Sequence, residues 1–133
     1  MPMLPITSFY SAFLAILILK LAFNVIRVRQ TEKQGLGYGQ KNLLLAGRIH
    51  ANAMEYIPIS LILLALTELN GVPSFFIHIA GTTLLFARII HAKGFSLAKG
   101  GAHPGRYWGT VLTWLVVIAL SVLNLLYSRR YLF

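Results

Sequence analysis

Arg48, Asn52 and Glu55 stand at i, i+4 and i+7 in "GRIHANAMEYIP" (47–58), between the aliphatic runs "LLLA" and "ISLILLAL". At about 3.6 residues per turn the three fall in one stripe, within roughly 60° of each other. A cation, an amide and a carboxylate on an apolar helix are costly in lipid; such groups usually face a bundle interior and mark functional sites. The alternative is internal: Arg48, Glu55 and Arg88 pair to hold helices together, with Asn52 as interhelical glue. Arg88 and His91 return to nearly the same depth on a later apolar stretch, and Lys20 and Asn24 approach it from the first. Lys20 reads as a side chain that snorkels to the headgroups. Pro58 removes a backbone hydrogen bond, so a kink is expected just above the stripe.

Other chemistries find no support in these residues. The chain has no cysteine, which excludes disulfides, thiolate nucleophiles and zinc–thiolate sites. His50 lies about 200° around the helix from Arg48, and His78 and His103 belong to other segments, so no metal or haem spacing exists. The formal net charge of +9 is dispersed over loops and apolar stretches, with no basic face or motif for nucleic acid.

The elements that must position the stripe are membrane spans. Hydrophobic residues make up 57% of the 133, charged residues 11%, and the mean hydropathy is +0.72; a soluble domain carries about 25% charged residues. Four apolar stretches near 6–26, 43–69, 73–93 and 107–128 reach the roughly 20 residues that a span needs. The chain therefore reads as one membrane domain, 1–133, with an all-α four-helix bundle. The first stretch lacks a basic n-region and a small-residue cleavage site, and is expected to remain as a span. Arg27, Arg29, Lys33 and Lys41 belong to the first loop, Lys93, Lys99 and Arg106 to the third, while the second, "NGVP", has no Lys or Arg. The positive-inside rule places loops one and three in the cytoplasm and both termini outside, against the opposing Arg129 and Arg130. "QTEKQGLGYGQKN" and "GFSLAKGGAHPGR" are Gly-rich and long enough to clasp a ligand, whereas "NGVP" is a tight turn. Tyr107, Trp108, Trp114, Tyr127 and Tyr131 read as interfacial belts, and Gly81 and Gly109 as aids to helix packing.

"RIHANAMEYIP" resembles the signature of the MAPEG family, membrane-associated proteins in eicosanoid and glutathione metabolism: Arg, three residues, Asn, two, Glu, two, Pro. "LFARIIHAKGF" (85–95) is a second element similar to the family's, and the span pattern, basic first loop and length resemble its small bacterial inner-membrane members. The resemblance implies a homotrimer of four-helix bundles, with glutathione bound between neighbouring subunits near the cytoplasmic end. It also implies residue roles. Arg48 and Arg27 would clamp carboxylates through their planar donor forks. Asn52 would hydrogen-bond the peptide, Glu55 would take the γ-glutamyl ammonium, and Tyr56 would contact the backbone or sulfur region.

The chain departs from that pattern on the third span. Where glutathione-conjugating members place tyrosines, it has His91, which can bond a carboxylate, and Phe95, which cannot. Near the family's thiolate-stabilising Arg stand Ala102 and His103. Arg106 is the nearest cation, either a thiolate partner or an interfacial anchor. The implied activity is conjugation of glutathione to lipophilic electrophiles, or reduction of lipid peroxides, with substrates drawn laterally from membrane lipid. The alternative is a non-catalytic protein of the same fold that binds a thiol, lipid or protein partner. A small multidrug-type exporter ranks last, because it would need an acidic residue in the first span, where this chain has Lys20.

Overall fold

The computed structural model describes residues 3–132, with side chains through Arg129. Arg130 and Tyr131, read above as an opposing charge and an interfacial ring, have side chains outside the described residues. Four helices follow one another: α1 Pro5–Thr31, α2 Lys41–Leu69, α3 Ser74–Leu97 and α4 Pro104–Leu132. Each is long and apolar enough to cross a membrane. α2 runs without interruption through Pro58.

The helices outrun the apolar stretches, because a helix need not stop where the hydrocarbon does. The first loop shrinks to 32–40 and the third to 98–103. Arg27 and Arg29, assigned above to the first loop, lie inside α1; Lys41 opens α2, Lys93 lies inside α3, and Arg106 sits in the first turn of α4. "GFSLAKGGAHPGR" is thus only partly a loop: its first four residues continue α3. The "NGVP" turn closes with Gly71 at φ +75°, a left-handed conformation that glycine adopts without penalty.

Helix ends are tied by side chains from elsewhere in the chain. Pro5 opens α1, where a missing N–H is harmless. The next two backbone amides, of Ile6 and Thr7, donate to the two carboxylate oxygens of Glu68 at 2.9 and 2.7 Å. A carboxylate there satisfies orphan amides and faces the positive end of the helix dipole. At the same end of the bundle, Asn124 donates to the Leu63 carbonyl and Thr67 Oγ1, joining α4 to α2.

Leu14, Ile57, Leu64, Ile77, Leu84 and Leu120 form the fully buried core. Gly81 faces the ring of Tyr10, whose hydroxyl bonds Thr82 Oγ1 at 2.8 Å, and this fixes α1 against α3. α3 and α4 touch backbone to backbone. A Cβ on Gly109 would stand 2.7 Å from the Ala87 carbonyl oxygen and 2.8 Å from the His91 Cα. That approach sets the height at which α4 presents its side chains to the polar stripe of α2.

Candidate functional site

The stripe on α2 divides over two environments. Asn52 turns inward and is half-buried; Arg48 and Glu55 remain exposed on the surface of the single chain. Asn52 Oδ1 accepts from Nη2 of Arg88 at 2.6 Å. Arg88 is only 2% exposed, with its guanidinium carbon 5.7 Å from the centre of the Tyr56 ring. Its Nη2 also lies 3.5 Å from Nδ1 of His91, while its Nε has no partner. The pairing inside the bundle is therefore cation to amide, not cation to carboxylate.

His91 is equally buried and packs edge-on against Phe95, with ring centres 5.7 Å apart. Phe95 in turn lies under Arg106, whose guanidinium carbon is 3.9 Å from the ring centre. Nη1 of Arg106 donates to the carbonyls of Gly100 and Gly101 at 2.6 and 3.1 Å. The third loop thus folds back over the end of α3, and Arg106 is held where loop, ring and open surface meet.

Three adjoining hollows run along the α2/α4 side. The smallest, about 260 Å³, is lined by Lys41, Arg48, Lys99 and Arg106 around Phe95, with no acidic residue. The next, about 360 Å³, shares Arg106 with it and reaches Trp114. The largest of the three, about 390 Å³, shares Trp114 and is lined by Glu55 and Tyr56. Trp114 Nε1 donates to the Tyr56 hydroxyl at 3.1 Å. One surface therefore offers cations at its loop end and a carboxylate deeper down. Among the described residues, neither Arg48 nor Glu55 makes a hydrogen bond or ion pair.

Of the residues singled out in the sequence, Arg48, Glu55, Tyr56 and Arg106 reach this surface. Asn52 lies behind it, bonded to Arg88, and His91 lies behind Phe95. Arg27 is exposed near the end of α1, donates to Asn24 Oδ1 at 3.0 Å, and lines none of the three hollows. Trp114, read from the sequence as a belt residue, is part of the site. Its depth was the available signal: seven residues beyond Tyr107 amounts to about 10 Å of helix rise, too deep for the same interfacial belt. Among the described residues no group of three or more His, Asp or Glu could hold a metal ion.

The model of the MAPEG family matches residues 7–126. The chain belongs to the MAPEG family. It is also similar to the inner membrane protein YecN of Escherichia coli strain K12, at 34% identity over 126 residues, covering 92% of each chain. The protein of the same name from E. coli O6:H1 matches to the same extent. With four membrane-length apolar helices, this MAPEG chain is a multi-pass integral membrane protein. The "RIHANAMEYIP" and "LFARIIHAKGF" segments of this MAPEG chain are the parts of α2 and α3 that meet through Asn52 and Arg88.

Proposed function

We propose that this MAPEG protein binds glutathione on the α2/α4 surface, between neighbouring copies of the chain in a homotrimer, and conjugates it through its sulfur to lipophilic electrophiles. The observation that carries the reading is the pair Arg48 and Glu55: opposite charges on one face, inside a membrane-length helix, exposed and, among the described residues, in no hydrogen bond or ion pair. In lipid such groups need cover and counter-charge. A zwitterionic peptide pressed between two subunits supplies both.

The dimensions agree with the chemistry. Seven residues of helix separate Arg48 and Glu55 by about 10 Å, and an extended three-residue peptide reaches about the same length. Arg48 and the cations beside it receive carboxylate, and Glu55 receives the ammonium. Arg27, which its own chain leaves apart, comes from the neighbouring subunit. Tyr56, steadied by Trp114, meets the ligand's middle. His91 backs Phe95 and serves the ligand through packing. Arg106 stabilises the thiolate, which attacks the electrophilic carbon. A C–S bond forms and the leaving group departs with the bonding pair, so no covalent enzyme intermediate arises.

The basic residues in and beside the first and third loops favour a cytoplasmic position for this end, with the termini outside, and the likeness to inner membrane proteins supports a bacterial inner membrane. A second reading, a binder without turnover, draws on Arg106: its Nη1 is committed to two loop carbonyls and its face to Phe95. Calorimetric titration of the detergent-purified protein with glutathione, followed by an electrophile assay, separates the readings. Binding with turnover supports the first and binding without turnover the second. An absence of binding removes both.

A further inference from the structure

A separate groove of about 470 Å³ opens between α1 and α3, and shares no lining residue with the α2/α4 hollows. Its wall is apolar along Phe13, Ile16, Leu17, Leu85 and Ile89, and two lysines, Lys20 and Lys93, close one end. Tyr10 on α1 bonds Thr82 on α3, so the two helices run side by side in the same direction. Lys20, ten residues beyond Tyr10, and Lys93, eleven beyond Thr82, therefore come to nearly the same height. The apolar residues lie mostly toward the bilayer centre and the lysines toward the end that carries the basic loops.

Both lysines are exposed, neither has a partner among the described residues, and no acidic side chain lines the groove. A single lysine at this depth is satisfied by snorkelling to headgroups. Two of them, on adjacent helices at one height, concentrate positive charge at the mouth of an apolar channel. Such a shape is complementary to an anion that carries a hydrocarbon tail, and basic pockets between spans are known to hold acidic headgroups.

We propose that the α1/α3 groove is a binding site for an anionic glycerophospholipid, its phosphate between Lys20 and Lys93 and one acyl chain along Phe13, Leu17 and Leu85. None of these residues lines the hollows that hold Arg48 and Glu55.

The test is native mass spectrometry of the full-length protein, released from micelles containing equal amounts of phosphatidylglycerol and phosphatidylcholine. The native chain should retain phosphatidylglycerol at several-fold higher occupancy. The double variant Lys20→Gln/Lys93→Gln should lose that preference, while Lys33→Gln/Arg129→Gln, which removes equal charge away from the groove, should keep it. Leu17→Phe narrows the channel and leaves both lysines in place; it should lower occupancy by both lipids. Equal retention of the two lipids by the native chain overturns the proposal, as does equal loss of preference in both double variants. Should Lys20→Gln/Lys93→Gln fail to fold, unchanged phosphatidylglycerol occupancy in Leu17→Phe overturns it as well.

Discussion

Nη2 of Arg88 donates to Oδ1 of Asn52 at 2.6 Å, joining α3 to α2 through a guanidinium that is 2% exposed. A cation this deep is held by an amide, although a carboxylate, Glu55, stands less than one helical turn from that amide. The arrangement leaves Glu55 to face outward, available to whatever covers α2.

The amide is expected to carry much of the stability of this contact. Asn52→Ala leaves a buried guanidinium nitrogen without its acceptor, a loss of about 1.5–3 kcal/mol for a hydrogen bond to a charged group. Asn52→Asp keeps the acceptor and supplies a counter-charge, and should retain most of the stability. Thermal unfolding in detergent, followed by circular dichroism, compares the two. Equal losses would show that the site tolerates neither change and that the hydrogen bond is not the reason.

Ligand binding should separate Arg48 from Glu55. Glu55→Gln removes the charge opposite the ligand ammonium, and Arg48→Lys removes the bidentate fork. Each should weaken glutathione by about 1–3 kcal/mol, the range for charge-assisted hydrogen bonds. An analogue lacking the α-amino group should be nearly indifferent to Glu55→Gln and still suffer from Arg48→Lys. Calorimetry with both ligands gives the answer, and equal losses for the two ligands on Glu55→Gln would end the ammonium role.

Arg106 should act on the sulfur. A nearby cation lowers a thiol pKa and raises the thiolate fraction. Arg106→Gln should therefore shift the thiolate absorbance of bound glutathione to higher pH with little loss of affinity. An unchanged titration would leave Arg106 as a strut between Phe95 and the loop carbonyls.

Gly109 should tolerate no side chain. An added Cβ would meet the Ala87 carbonyl and the His91 backbone, and neither can step aside. Overpacking of this kind costs about 1–3 kcal/mol. Gly47→Ala meets only the half-exposed ring of Tyr38, which can swing away. Melting temperatures of the two variants should differ accordingly; a Gly109→Ala protein as stable as Gly47→Ala would argue against the close α3–α4 contact.

Assembly and orientation can be read in native membranes. Cross-linking should stop at trimers, and tags at the termini should report the outside while tags in the first and third loops report the cytoplasm. A monomer that still binds glutathione would remove the between-subunit site, and a cytoplasmic C-terminus would move the site across the membrane.

Four spans and a tight turn were legible in the sequence, because a long apolar run in lipid satisfies its backbone as a helix; most of the basic residues assigned to the first and third loops lie in the ends of the helices beside them. The polar stripe was legible too, since helical periodicity fixes the angles among Arg48, Asn52 and Glu55, and its spacing together with the motifs carried the family resemblance. Periodicity does not say which neighbouring helix covers which edge of a stripe. Tertiary packing decided that: the backbone contact at Gly109 sets α4 against α3, and Arg88 reaches Asn52 while Arg48 and Glu55 stay uncovered. The same packing brings Trp114 to Tyr56 and lays Arg106 over Phe95, and it turns Glu68 into the cap of α1. These contacts join residues eleven to sixty-two positions apart, and such distances close only when helices cross at a particular height and angle, which no local pattern of residue types encodes.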